Sequence, residues 1–137
     1  MKSMQQFNGI IQEIEAFLHD YYRGFALDDL AHMEAGMTED FTAIFIIPSL
    51  SGAPQVFDKK AIMEGYVQAF SLYRGRSPAM HISNIVLVPR SEHEVLAAYT
   101  MDFYLEDRWR NDALAIADLR LEAGQWKIYR LYENKRR

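Results

Sequence analysis

The spacing of apolar residues changes once along this 137-residue chain, between positions 73 and 81. Before the change, apolar residues recur every three or four positions, which predicts an amphipathic helix over residues 4–26 and two further helices. Asp28 or Asp29 can cap the second helix, and Asp58 can cap the third. A β-branched and aromatic run predicts a strand over residues 42–48, and the Ser, Gly and Pro that follow predict a loop over 49–57.

After the change, apolar and polar residues alternate, and four strands are predicted over residues 81–89, 95–106, 114–122 and 126–133. Their connections are short, so neighbouring strands should pair antiparallel. Helices gathered on one side of an antiparallel sheet form an α+β architecture. No linker or repeat interrupts the chain, so residues 1–137 are expected to form a single domain.

Composition excludes several classes of function. The net charge of −4 argues against a nucleic-acid partner, which requires a basic face. The chain has no cysteine, and its remaining histidines, His19, His32 and His93, lack the spacing of metal ligands, so no metal site is predicted. No apolar run approaches the roughly 20 residues that span a bilayer, and the N-terminal residues do not resemble a cleaved leader. A cytoplasmic protein with no membrane partner is therefore expected.

The turns predict a register for the sheet. Two-residue turns at Ser91–Glu92, Asp107–Arg108 and Ala123–Gly124 would place His81 opposite Asp102, Ala98 opposite Ala117, and Ala115 opposite Tyr132. One face of the sheet would then combine small residues with polar ones, as a pocket at the wide end of a cone should. The predicted pocket residues from the sheet are His81, Thr100, Asp102, Tyr104, Ala115, Arg130 and Tyr132.

His81 beside Asp102 is the sharpest candidate for chemistry. A carboxylate fixes the tautomer of an imidazole and leaves its far nitrogen as a general base or acid near neutral pH. The alternative is that His81 merely ends a strand in solvent while Asp102 binds a backbone group.

Three tyrosines on the predicted helices, Tyr21, Tyr22 and Tyr66, could donate hydroxyl groups to the pocket. They could equally be core aromatics with the oxygen at the edge. Arg130 could bind an acidic substrate or extend to solvent.

The strand over residues 95–106 is apolar on both faces, with Tyr99, Met101 and Phe103 on one and Leu96 and Ala98 on the other. Such a strand must be covered on both sides. The helices cover one face, so we expect the outer face of the sheet to pair with a second copy of the chain. By the predicted register, the outer face carries Tyr99, Met101, Phe103 and Ile116.

The order of elements, and the segments 25–30, 38–41, 81–84 and 119–128, resemble the nuclear transport factor 2-like superfamily and its SnoaL-like polyketide cyclase branch. The resemblance implies a conical fold, in which three helices from the N-terminal half pack on a strongly curved, mostly antiparallel sheet that encloses a pocket. It also implies frequent homodimers and cofactor-free chemistry on small, often cyclic molecules. In scytalone dehydratase-like members, a histidine at the position of His81 acts with a carboxylate and a helix tyrosine. Asp102 would supply the carboxylate, whereas Tyr22 and Asp28 depart from the usual spacing of the tyrosine and its following acid.

These observations lead to one hypothesis with two alternatives. The chain binds a small apolar, cyclic metabolite and acts on it as a cofactor-independent lyase or isomerase, with His81 as base, Asp102 orienting it, and Tyr21 or Tyr22 donating a hydroxyl. The alternatives are a non-catalytic binding module and a homodimerisation module of the same fold.

Overall fold

The computed structural model describes residues 4–47 and 52–135, with side chains from residue 7 onward. Three helices pack against one face of a curved, open sheet of six strands, as the α+β prediction required. No helix within the described residues combines the length and the apolar content needed to cross a membrane. The elements are α1 (Met4–Ala26), α2 (Leu30–Ala35), β1 (Met37–Ile46), β2 (Pro54–Asp58), α3 (Lys59–Tyr73), β3 (Ala79–Pro89), β4 (Glu94–Leu105), β5 (Arg108–Glu122) and β6 (Gln125–Lys135).

The helices form where their caps and apolar faces predict. The backbone N–H of His32 donates to Asp29 Oδ1 over 3.1 Å at the start of α2, and Ala61 N–H donates to Asp58 Oδ1 over 2.8 Å at the start of α3. The apolar face of α1 is fully buried through its last three turns. It brings Ile14, Leu18, Tyr21, Tyr22 and Phe25 onto the sheet.

The strands are ordered β2-β1-β6-β5-β4-β3, with β1 parallel to β6 and every other pair antiparallel. Two predictions about the first half of the sheet need correction. The sequence predicts a loop over residues 49–57, yet Pro54–Asp58 forms the edge strand β2, where the Phe57 ring packs at a tilt against that of Phe45, with 5.5 Å between ring centroids. The strand predicted over residues 42–48 begins earlier, at Met37, and Pro48 lies outside the described residues.

Three bulges and one turn decide the register of the remaining strands. His81 lies opposite Asp102 as predicted, but β3 then gains one residue between Ser83 and Val86. The next turn falls at Glu106–Asp107, where both residues have positive φ, one position before the predicted turn. The earlier turn alone would shift the pairing of β4 with β5 by two residues, and a bulge at Arg110 reverses one of them. The predicted pairing is therefore wrong by one residue, and Ala98 faces Ile116 instead of Ala117.

The last hairpin follows the prediction near its turn and departs from it further along. Ala123 and Gly124 form the turn with positive φ, and Leu119 lies opposite Ile128. A bulge at Tyr129 then shifts β6 by one residue. As a result Ala115 lies opposite Glu133, not opposite Tyr132.

The concave inner face of the sheet is the one that the helices cover. Tyr99, Met101 and Phe103 of β4 point inward and are buried, and the ring of Phe103 packs 5.9 Å from that of Phe25 on α1. The prediction that these three β4 residues lie on the outer face, between two chains, is therefore wrong. Ile116 does lie on the outer face, with the even-numbered residues of β4.

Candidate functional site

A cavity of about 240 Å³ lies between the helices and the inner face of the sheet. It is slightly smaller than typical drug-sized pockets, so it suits a small ligand. Most of its wall is apolar and comes from Phe25, Met33, Ile62, Met80, Met101 and Phe103. Its polar lining comes from Tyr22, Tyr66, Tyr73, Asn111, Glu133 and Lys135.

Glu133 is the buried carboxyl group of this cavity. The bulge at Tyr129 turns it to the inner face, where it lies beside Ala115 on β5 and Phe45 on β1. The residue is only 6% exposed. Within the described part of the chain, no hydrogen bond or ion pair within 4.0 Å engages its carboxyl group. A buried polar group without a partner is costly, and such groups are usually explained by a ligand, water or a catalytic role.

Burial raises the pKa of Glu133 above its usual range, because the ionised carboxylate loses its hydration in the apolar wall. The Lys135 ammonium opposes this shift, since a nearby positive charge lowers the pKa of a carboxyl group. Burial is the larger effect. A larger fraction of Glu133 is thus protonated near neutral pH than an exposed glutamate would be.

Four tyrosines surround the deep end of the cavity. The hydroxyl groups of Tyr22 on α1 and Tyr99 on β4 are joined by a 2.6 Å hydrogen bond. Tyr66 lines the cavity from α3, and the Tyr21 ring meets that of Tyr22 edge-on at 5.0 Å. The buried Tyr21 hydroxyl approaches that of Tyr66, although the pair does not reach good hydrogen-bond geometry. Burial raises the pKa of all four phenols, so they remain neutral hydrogen-bond donors.

Lys135 on β6 and Asn111 on β5 line the cavity beyond Glu133. Lys135 lies opposite Ala113, and Asn111 precedes Ala113 by two residues and therefore shares its face. Both side chains are partly exposed, unlike Glu133. Exposure thus increases from Glu133 toward Lys135 and Asn111, which marks that end as the mouth.

Only part of the predicted site lies at this cavity. Tyr22 and Tyr66 line it, whereas Tyr21 is buried behind Tyr22. Ala115 is on the inner face but is fully buried beneath Glu133, and its neighbour Ala113 lines the cavity instead.

His81 and Asp102 must be reassigned, since they lie on the outer face of the sheet. His81 is exposed, and its ring packs edge-on against Tyr104 at 5.0 Å. Asp102 accepts a 2.9 Å hydrogen bond from Trp109 Nε1. Although the two residues are paired in register, no hydrogen bond or ion pair joins them in the part of the chain that the structure describes. The physical reason is strand parity, because the inward residues of β3 and β4 at this level are Met80, Ile82, Met101 and Phe103.

The other predicted pocket residues of the sheet are also on the outer face. Thr100 lies opposite Leu114, and Tyr104 packs against His81. Tyr132 lies opposite Ile116, and Arg130 forms an ion pair with Asp118 at 3.7 Å. For Arg130 and Tyr132 the bulge at Tyr129 is the cause of the error, since one extra residue exchanges the two faces of a strand.

Sequence reasoning missed Glu133, Lys135 and Asn111, although the sequence contains a signal for the first two. In the sequence of β6 the bulky apolar residues Trp126 and Ile128 alternate, and the next aliphatic residue is Leu131, three positions later. A step of three within an alternating strand is what a bulge produces. Alternate residues of a strand share a face, so Glu133 and Lys135 lie on the inner face with Leu131.

No group of three or more His, Cys, Asp or Glu side chains within residues 4–47 and 52–135 is arranged to hold a metal ion. The chemistry available at the cavity comes from one carboxyl group, neutral phenols, an amide and an ammonium group.

Known structures share this architecture at low sequence identity. No protein-family model and no curated protein sequence matches the chain. An NTF2-like protein of unknown function from Pseudomonas putida superposes with a TM-score of 0.77 at 14% identity, covering 93% of this chain and 87% of that one. The fold is therefore NTF2-like, that is, nuclear transport factor 2-like.

Two further proteins with this NTF2-like fold are informative. A proposed scytalone dehydratase from Novosphingobium aromaticivorans has a TM-score of 0.76 at 17% identity, covering 98% of this chain and 89% of that one. A protein of unknown function from Mycobacterium tuberculosis has a TM-score of 0.81 at 14% identity, covering 100% and 78%. At these identities the likeness establishes the fold, and the function must be argued from the cavity.

Proposed function

We propose that the cavity binds a small apolar, cyclic metabolite and that Glu133 performs cofactor-independent acid–base chemistry on it. Dehydration, isomerisation and cyclisation are the reactions that such chemistry serves. The observation that carries the proposal is a carboxyl group that is buried in an apolar cavity and has no hydrogen-bond or ion-pair partner among the described residues. A ligand that exchanges a proton with Glu133 would supply the missing partner.

The environment of Glu133 suits a general acid or base. A group that transfers protons works best when its pKa lies near the operating pH, and burial moves the pKa of Glu133 upward in that direction. Tyr22 and Tyr66 present neutral hydroxyl groups at the same cavity, where they could donate hydrogen bonds to a ligand oxygen. A carbonyl so polarised releases an α-proton more readily, and the ionised form of Glu133 would accept that proton and later return it.

The test uses the exchange of α-hydrogen for deuterium in small cyclic ketones, which reports proton transfer before the natural substrate is known. Cyclohexanone and 1-indanone are incubated with the protein in D2O, and deuterium uptake is followed by NMR. We expect exchange to be accelerated by the wild type and reduced about 10²-fold by Glu133→Gln. Glu15→Gln, which removes an exposed carboxylate of α1, is the matched control.

His81→Ala distinguishes Glu133, the base assigned from the structure, from His81, the base predicted from the sequence. It should retain the exchange activity, because His81 faces away from the cavity. Loss of exchange in His81→Ala but not in Glu133→Gln would restore His81 as the base. Binding of the ketones without accelerated exchange would favour the second candidate function, a non-catalytic binding protein.

We also propose that the outer face of the sheet pairs with a second copy of the chain. An apolar band crosses all six strands there, one residue from each, in the order Val56, Ile44, Tyr132, Ile116, Ala98 and Val86. Its two ends are 71% and 60% exposed in the isolated chain.

Charged residues flank this apolar band without entering it. Asp118 pairs with Arg90 at 3.2 Å, and the Tyr129 ring lies 4.3 Å below the Arg120 guanidinium. Both signs of charge are thus available beside an uncharged centre, which is the arrangement of a self-complementary interface.

A further inference from the structure

The mouth of the cavity has a positive charge that no carboxylate of residues 4–47 and 52–135 neutralises at contact distance. Glu133 and Lys135 are the two charged residues of the lining. No described carboxylate lies within 4.0 Å of the Lys135 ammonium. Glu133 interacts with Lys135 electrostatically over a longer distance, without a direct ion pair. Lys135 is nevertheless partly buried, so it has lost some of its hydration. A ligand anion could replace that hydration.

The groups that face Glu133 do not change this balance of charge. Tyr21 and Tyr22 approach it from α1, Tyr66 from α3 and Tyr99 from β4, and all four are neutral phenols. When Glu133 is protonated, the cavity has a net charge of one positive unit, at Lys135. The charge lies at the mouth, while the interior remains uncharged and largely apolar.

The order of groups along the strands defines which end of a ligand goes where. On the inner face of β6, Lys135 follows Glu133 by two residues, which places it about 6.6 Å further along the strand. Asn111 lies still nearer the mouth on the neighbouring strand and adds an amide. A ligand anion at Lys135 would therefore direct the rest of the ligand toward Glu133 and the apolar interior.

We propose that the ligand is a small cyclic carboxylate or comparable oxyanion, whose charged group binds Lys135 at the mouth while its ring occupies the apolar interior. This inference rests on the proposed binding function of the cavity and specifies the class of ligand. It also gives the ligand one orientation, with the carbon atoms most distant from the charged group nearest to Glu133.

Two probes with the same ring and different charge test the inference. Binding of 4-fluorobenzoate and of 4-fluorobenzyl alcohol is measured by 19F NMR titration. We expect the wild type to bind the benzoate more tightly than the alcohol. Lys135→Met should weaken benzoate binding about tenfold and change alcohol binding less than twofold, because only the benzoate carries a charge. Lys135→Arg should retain the preference.

The control is Lys127→Met, which removes a lysine from the outer face of the same strand. It should leave the binding of both probes unchanged. Equal binding of the two probes by the wild type, or equal loss in Lys135→Met and Lys127→Met, would overturn the anion preference while leaving the cavity as the binding site. Failure of the wild type to bind either probe would overturn the proposed binding function as well.

Discussion

Glu133 should make the stability of the protein depend on pH in a characteristic direction. Its pKa is raised in the folded state, so between the unfolded and folded pKa values the folded chain binds more protons than the unfolded chain. The stabilisation that protonated Glu133 retains below its unfolded pKa, roughly 4.3, is therefore lost as pH rises through the folded pKa.

The corresponding experiment compares the wild type with Glu133→Gln, which cannot ionise. The free energy of unfolding of the wild type, measured relative to this variant in urea, should decrease as pH rises from 4 and level off above the folded pKa. The Glu15→Gln variant reports the effect of removing an exposed carboxylate. If the free energy of unfolding of the wild type, relative to Glu133→Gln, increased with pH, the ionised carboxylate would be stabilised in the folded state, contrary to its apolar surroundings.

Tyr22 and Tyr21 are adjacent buried tyrosines whose replacement should cost different amounts of stability. Tyr22→Phe breaks the 2.6 Å hydrogen bond and leaves the buried Tyr99 hydroxyl without its partner, which should cost about 1–3 kcal/mol. Tyr21→Phe removes a buried hydroxyl that approaches Tyr66 without a well-formed hydrogen bond, so the loss of stability should be smaller than for Tyr22→Phe. Urea denaturation of the two variants gives both values. Equal losses would show that Tyr21 has a partner in solution.

At the level of elements, helices were easier to predict than the register of strands. The apolar face of α1 is repeated over six turns, and the helix occupies the predicted residues 4–26. Asp58 begins α3 where its side chain can cap the helix. Each of these features depends on residues close together in sequence, so the sequence contains the necessary information.

The pairing of strands depends on single residues that composition does not reveal. β4 is apolar on both faces, so its own sequence does not say which face meets the helices. The bulge at Tyr129 occurs without glycine and changes which of Tyr132 and Glu133 reaches the cavity. Most of the predicted site was misplaced because a shift of one residue exchanges the two faces of a strand.

The N-cap of α3 supports one wall of the cavity, which includes Ile62 and Tyr66. Asp58→Ala removes the side chain that accepts the Ala61 N–H and should lower the free energy of unfolding by about 0.5–2 kcal/mol. Asp58→Asn keeps an acceptor and should stay within a few tenths of the wild type. Chemical denaturation measures both, and an equal loss in the two variants would assign the effect to charge instead of capping.

At the level of the whole molecule, the helices leave the outer face of the sheet uncovered, and Val56 and Val86 are exposed there. Ile116 lies near the middle of the apolar band, between Ala98 and Tyr132. Ile116→Glu would place an unpaired charge in the proposed interface, so it should convert a dimer into a monomer. Sedimentation equilibrium at micromolar concentration measures the mass directly. The control, Val67→Glu, introduces the same charge on an exposed position of α3 and should remain dimeric. A monomeric wild type would contradict the proposed pairing.

The claim that most needs testing is that small cyclic ligands bind in the cavity beside Glu133, and methionine methyl groups report on it directly. Met33, Met80 and Met101 line the cavity, whereas Met37 is buried elsewhere in the core and Met63 lines a separate groove beside α3. The protein is labelled with 13C at the methionine methyl groups and titrated with cyclohexanone and with 4-fluorobenzoate. We expect saturable shifts of Met33, Met80 and Met101, with Met37 and Met63 nearly unchanged. Shifts confined to Met63, or no saturable shift at any of the three cavity methionines, would contradict the claim.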